Sequence, residues 1–356
     1  MRRRAYHRSV IPFDVIWLPA LEPAELTGLQ LHLLDAVKCA GGAPVVLIFQ
    51  FSGPTISLGR YHLYEGPAQH GGVAAYRRLT GGRIINPGAG WIGCALVMPS
   101  RTAVLDARDA KLRPEQVMNR YVRGAMAALR ALGVDCSYPG RDALTCGGRE
   151  LAMCTFEEDT GGALLFEIFI AVGQGLESMP RDMERFDPEG RLACRFYDER
   201  TCTLLARELG RTPAFEELAA NLEAGYRWMF GGARRRALTA AERSGAAAQM
   251  YGLGTRWLGG RRPAASLNQV GHMAIQLGSM QAYLAAADGR IGRIEFYGDF
   301  IANSAGLERF ERTLAGQRLD LMTLAAATME TYADGTNFIL GCGELGNLAR
   351  LILKAS

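Results

Sequence analysis

Long hydrophobic runs are missing from this 356-residue chain. Its longest apolar stretches, such as Gly161 to Val172, fall short of the roughly 18–20 residues that span a bilayer, so no membrane helix is expected. Arg2-Arg3-Arg4 is followed by no apolar run with a small-residue cleavage site, so no signal peptide is read and a cytoplasmic address is the expectation. Histidine is scarce, five in all, and His62, His70 and His272 have no histidine or carboxylate at ligand or triad spacing. The eight cysteines form no C-x-x-C pair, which disfavours a zinc site or a dense disulfide framework and points to free thiols in a reducing compartment. An excess of one charge sign is also missing. Forty basic residues stand against 36 acidic ones, a net +4, and they are interspersed, so no nucleic-acid footprint follows. Arg2-Arg3-Arg4 and Arg234-Arg235-Arg236 are read as solvated segments, as is the acidic turn Glu157-Glu158-Asp159.

What is present is an ordinary apolar fraction on a chain long enough for two domains. Pro23 opens a helix with Leu26, Leu29, Leu33 and Val37 at helical spacing. Val45 to Phe49 and Thr55 to Leu58 read as strands, and Ala95 to Met98 as another. Pro114 opens a second helix carrying Val117, Tyr121, Met126, Leu129 and Leu132 on one face. Ala143 to Met153, turning at Gly147-Gly148, and Leu164 to Val172 read as strands. A further helix begins near Pro213. Glycine and arginine replace apolar periodicity in Gly231 to Ala237, which marks a boundary between residues 1–232 and 238–356. Beyond it, Thr239 and Glu242 have capping-box spacing. The remainder predicts helix, three short strands with a turn at Asp288-Gly289, and two helices, a small α+β unit with an antiparallel sheet.

The segment with the most chemistry is Arg77-Arg78-Leu79-Thr80-Gly81-Gly82-Arg83-Ile84-Ile85-Asn86-Pro87-Gly88. Arginines, a hydroxyl and paired glycines allow backbone N–H groups to approach an anion that guanidinium groups neutralise, as a phosphate or carboxylate site requires. Together with Pro54 to Arg60, Gly140-Arg141-Asp142-Ala143-Leu144, Gly148-Arg149-Glu150-Leu151-Ala152 and Arg200 to Leu205, it resembles the lipoate-protein ligase and octanoyltransferase family. Trp257, Pro263, Gly289-Arg290-Ile291 and Tyr297 to Phe300 resemble the accessory domain of bacterial lipoate ligases. The likeness runs from about residue 45 to the C-terminus.

That resemblance implies an α+β catalytic domain of the biotin/lipoate ligase type, related to class II aminoacyl-tRNA synthetases, with a small C-terminal accessory domain. It implies ATP- and magnesium-dependent activation of lipoate to lipoyl-AMP, then transfer to a lysine of a lipoyl carrier domain, of the glycine-cleavage H-protein or dehydrogenase E2 kind. By position, Arg78 and Thr80 would contact the acyl-adenylate, and the Gly81 and Gly82 backbone would line the phosphate and acyl channel. The family's lysine falls at Glu150. A carboxylate there would repel an adenylate phosphate where a cation is wanted, and neighbouring Arg149 is the candidate replacement. Arg83 stands at the loop's third glycine, Pro87-Gly88 at its His-Asp, Asp142-Ala143 at the magnesium-linked Asn-Asp, and Glu167-Ile168 at a later His-Gly. The transferase branch would instead use a cysteine nucleophile just before Pro139-Gly140. Cys136 lies near that place, and Cys154 is a weaker candidate. Three readings follow: attachment of a lipoyl or medium-chain acyl group to a carrier lysine, a non-catalytic binding or regulatory protein, and a cysteine-dependent transferase.

Overall fold

Strands apolar at every position belong in the middle of a sheet covered on both faces, and the most apolar runs of this chain lie there. A computed structural model describes residues 11–39, 42–64, 66–103, 112–190, 192, 194–258, 263–333 and 335–355. Arg2-Arg3-Arg4 and the Trp257 side chain lie outside the described residues. The chain runs β1 (Ile11–Leu21), α1 (Pro23–Lys38), β2 (Val45–Phe51), β3 (Thr55–Leu58), β4 (Gln69–His70), β5 (Val73–Arg77), β6 (Trp91–Met98), α2 (Pro114–Ala131), β7 (Cys136–Ser137), β8 (Ala143–Cys146), β9 (Arg149–Glu158) and β10 (Leu164–Ala171). It continues with α3 (Met179–Phe186), α4 (Leu205–Leu209), α5 (Phe215–Phe230), β11 (Gly231–Arg235), α6 (Ala240–Leu258), β12 (Gln269–Ile275), β13 (Gly278–Ala287), β14 (Arg290–Gly298), β15 (Ile301–Ala302), α7 (Ser304–Leu314), α8 (Leu321–Tyr332), β16 (Ile339–Leu340) and α9 (Gly346–Leu353). No helix among the described residues is long and apolar enough to cross a membrane.

Eight strands form one sheet in the order β11-β1-β2-β6-β10-β9-β8-β7. β1 runs parallel to both β2 and β11, and the other pairings are antiparallel. β6 and β10, at its centre, are buried along their whole length. One face packs on α2 and α5 through Val117, Tyr121, Leu222 and Tyr226. The other packs on α1 through Leu26, Leu29 and Leu33 and also supports the small sheet β3-β5-β4. The closest approach of α2 and α5 needs glycine: a Cβ on Gly225 would lie 2.1 Å from the Gly124 carbonyl oxygen. Gly225→Ala should therefore be net destabilising, the overpacking cost of about 1–3 kcal/mol outweighing the gain in helix propensity of about 1 kcal/mol. A lower urea midpoint is the expected result, and an unchanged midpoint would show that the two helices can part without cost.

Sequence patterning missed several short elements, α3 and α4 among them, and three that frame the fold. β1 contains Pro12 and Pro19, which weaken a strand reading, yet it lies between two parallel neighbours. β11 falls in the Gly231 to Ala237 stretch that reads as a boundary, and pairs with β1 through its backbone, for which composition matters little. There Arg234 and Arg236 both bind the buried Asp14, Arg236 also binds Glu242, and Arg235 lies 4.3 Å from the Trp17 ring centroid. This arginine run is thus solvated at Arg234 and Arg235, as expected, and also a structural network through Arg236, Asp14 and Glu242. The third is the final helix α9. The Thr239/Glu242 capping box forms as expected, and α6 behind it packs on α1 so closely that a Cβ added to Gly28 would lie 2.4 Å from the Ala246 carbonyl oxygen.

The remaining C-terminal residues have their own core, built by β12-β13-β14 and α7, α8 and α9. Asp288 and Gly289, both left-handed, make the expected turn between β13 and β14. The two cores interlock. Tyr61 enters the C-terminal core, while Leu277, Ile301 and Phe338 enter the core of the large sheet.

Candidate functional site

The Arg77 to Gly88 loop leaves β5 and crosses the face of β9 and β10. Its first two arginines turn inward and bind backbone. Arg78 donates to the Ser57 carbonyl oxygen at 2.9 Å and to its hydroxyl at 2.8 Å, and to the carbonyls of Gly81 at 3.0 Å and Arg83 at 2.8 Å. Burial lowers its pKa. Arg77 donates to the His62 carbonyl at 2.6 Å. Thr80 donates to Glu167 at 2.5 Å, and Gln30 of α1 donates to the other oxygen of that carboxylate at 2.7 Å. Burial raises the Glu167 pKa against the opposing effects of Thr80 and Arg78. The residues placed on an acyl-adenylate by resemblance, Arg78 and Thr80, thus spend these donors on the protein itself.

The glycines are covered as well. Gly82, at φ +88°, donates its N–H to the Phe300 carbonyl at 2.8 Å, and a Cβ on Gly81 would lie 2.4 Å from that same oxygen. Phe300 stacks on Tyr61 at 4.6 Å, and the Tyr61 hydroxyl reaches the Ala302 carbonyl at 2.9 Å. His62 binds Asp299 at 2.8 Å, a partner 237 residues away that no sequence spacing could reveal. Glu157, buried rather than solvated, accepts from the Ser304 N–H and hydroxyl at the start of α7, both at 2.8 Å. Burial, partly offset by Arg60, pushes its carboxyl up to about 7. Its neighbours Glu158 and Asp159 pair with Arg101 and Lys38.

Beyond the glycines the loop delivers Arg83, which lies wholly inside. Its Nε and Nη2 bind Asp142 at 2.6 and 3.2 Å, and its Nη1 binds Glu150 at 2.9 Å. Burial alone would lower its pKa, but Asp142 and then Glu150 outweigh burial and hold it above the ordinary arginine value. The guanidinium lies 5.4 Å from the centroid of the Tyr197 ring, over which Arg195 also lies at 4.9 Å. Arg149 points away, pairing with Glu208 at 2.7 Å. The cation beside Glu150 is therefore Arg83, from the loop. The signal that could have found it was in the sequence: an arginine where the resemblance has glycine, alongside a glutamate where it has lysine.

Asp142 and Glu150 occupy the Arg83 guanidinium between them, so it is not free to receive a phosphate or carboxylate. These residues do not fit an adenylate phosphate, and the covered Gly82 N–H offers no compensating donor. Among the described residues no three histidine, cysteine, aspartate or glutamate side chains converge as metal ligands would. Cys136 is fully buried on β7, where an acyl substrate cannot reach it, and burial raises its thiol pKa, so it does not fit an acyl-transfer nucleophile. Cys154 is likewise buried, and burial raises its pKa well above the ordinary thiol value. Open space adjoins the cluster on the C-terminal side, in a cleft of about 360 Å³ lined by Tyr138, Arg141, Asp142, Leu277 and Ile301.

No protein-family model matches the sequence, and no curated protein matches it. Solved structures do. The LipL1 protein of P. falciparum, in complex with lipoate, has a TM-score of 0.68 at 11% identity, covering 96% of this chain and 99% of that one. Lipoate-protein ligase A bound with ATP has a TM-score of 0.52 at 14% identity, covering 68% of this chain and 98% of that one. A bipartite lipoate protein ligase of Thermoplasma acidophilum, described with its E2 lipoyl domain, has a TM-score of 0.51 at 14% identity, covering 71% and 98%. The α+β architecture expected from the sequence is thus the one observed. This chain shares the fold of LipL1 along 96% of its length and that of lipoate-protein ligase A along 68%, with Glu150 paired to Arg83 where the resemblance puts the ligase lysine.

Proposed function

We propose that this protein recognises a lipoyl or medium-chain acyl group, or a carrier domain bearing one, without forming an acyl-adenylate. The carrying observation is the Arg83 guanidinium held between Asp142 and Glu150. An enzyme that activates a carboxylate with ATP stabilises developing negative charge with a free cation, and here that cation is already neutralised. The fold shared with a protein solved with lipoate supports an acyl ligand, and the one described with an E2 lipoyl domain supports a carrier partner. ATP and magnesium are not required on this reading. Attachment of the acyl group to a carrier lysine is the second reading, favoured by the position of Arg83, which still brings a positive group to residue 150.

Incubation with lipoate, ATP, magnesium and an apo lipoyl domain should give no mass shift on the carrier, and neither should an octanoylated carrier as donor. Calorimetry with lipoate and with the lipoylated domain should give saturable binding of at least one. A mass shift would establish the second reading, and absence of any binding would sink the first.

A further inference from the structure

Two cysteines stand opposite each other in strand register at the open edge of the large sheet. β7 is its last strand, and Cys136 stands directly opposite Cys146 of β8. The next opposed pair, Ser137 and Thr145, touches hydroxyl to hydroxyl at 3.0 Å on the exposed side. By strand alternation Cys136 and Cys146 project together from the other face, and both join the same apolar core. Opposed residues of antiparallel strands have Cα atoms about 4.5–5.5 Å apart, inside the disulfide range of about 4.4–6.8 Å. Both thiols are free, and among the described residues no other two cysteines oppose each other in a strand pairing.

We propose that Cys136 and Cys146 form an oxidation site that closes to a disulfide, tying together the base of the 138–142 loop from which Asp142 holds Arg83. The oxidant is a peroxide. Cys146, 8% exposed against 0% for Cys136, reacts first. Its sulfur takes one peroxide oxygen to become a sulfenic acid, and one water leaves. The Cys136 thiol then attacks that sulfur, the S–S bond forms, and the sulfenic oxygen departs as a second water. The two thiols lose two electrons and two protons, and one hydrogen peroxide becomes two waters. Closure also removes the Cys146 thiol hydrogen now donated to Glu208 at 3.2 Å, a carboxylate that binds Arg149 beside Glu150. The site thus couples thiol oxidation to the hairpin and the strand that flank the Arg83 cluster.

Burial and then Glu208 push the Cys146 thiol up to about 11. Because the thiolate is the reacting species, the rate should rise about tenfold per pH unit below that value. The test treats the full-length protein with hydrogen peroxide, removes the peroxide, denatures, alkylates with N-ethylmaleimide and maps the thiols by mass spectrometry. Six alkylated cysteines, a cross-linked peptide joining residues 136 and 146, and roughly tenfold faster closure at pH 8.5 than at pH 7.5 are expected. Cys136→Ser should lose the cross-link and accumulate oxygen adducts on Cys146. Eight alkylated cysteines, or a linkage through exposed Cys39 or any other residue, would overturn the assignment. Since the linkage is mapped in the unaltered protein, that result does not depend on a variant folding.

Discussion

Replacing Arg83 with methionine should cost about 3–5 kcal/mol of stability, the range seen when one member of a buried ion pair is removed. The side chains of Arg83 and Asp142 are each 4% exposed and that of Glu150 is 16% exposed. Methionine would leave two carboxylates facing each other with no cation between them. The sign of the pH dependence follows. Unpaired, buried carboxylates favour the protonated form, so in the variant their folded-state pKa values rise above the unfolded ones. Such groups stabilise the fold at low pH and lose that contribution as pH rises through the folded-state pKa. The deficit of Arg83→Met should therefore be smaller at pH 5 than at pH 8 in urea unfolding. A deficit under about 1 kcal/mol, the ordinary value of an exposed ion pair, would show that the cluster is not a buried structural element.

Glu150→Lys restores the residue that the ligase resemblance places there, and it should nevertheless restore no ligase activity and destabilise the protein by about 3 kcal/mol or more. The reason is Arg83. Its Nη1 lies 2.9 Å from the Glu150 carboxylate, so an ammonium built there meets a guanidinium that is itself 4% exposed. The double variant Arg83→Gly/Glu150→Lys should recover part of that loss, because Asp142 then has the introduced ammonium as its remaining partner. A coupling of about 1–3 kcal/mol between the two sites is expected, as for residues sharing one network. Additive effects would mean that the two positions do not act together. Ligase activity in Glu150→Lys alone would show that position 150, rather than the pairing, controls the chemistry.

The order of elements was legible because periodicity is local. The apolar spacing of α1 and α2, their opening prolines and the turn glycines at 147–148 and 289 all act within a few residues. β1 and β11 were not legible for the complementary reason. Prolines at 12 and 19 and the Gly-Gly-Ala-Arg-Arg composition argue against strands locally, while a partner strand more than 200 residues away supplies the hydrogen bonds. The capping of α7 by Glu157, and with it the burial of an acidic turn, is likewise a contact across 147 residues.

By itself, the sequence determined the α+β class, the resemblance to lipoate ligases and the substitution of Glu150 for a lysine. Each of these is carried by local pattern and by residue order along the chain. Only the tertiary structure decided which cation faces Glu150. Arg149, adjacent in sequence, is turned to Glu208 by strand alternation, and Arg83, 67 residues away, arrives from the loop. It also decided that Gly82 donates to Phe300 and that Cys136 stands opposite Cys146. Ion pairs, strand register and coverage depend on distances between segments that chain order does not encode.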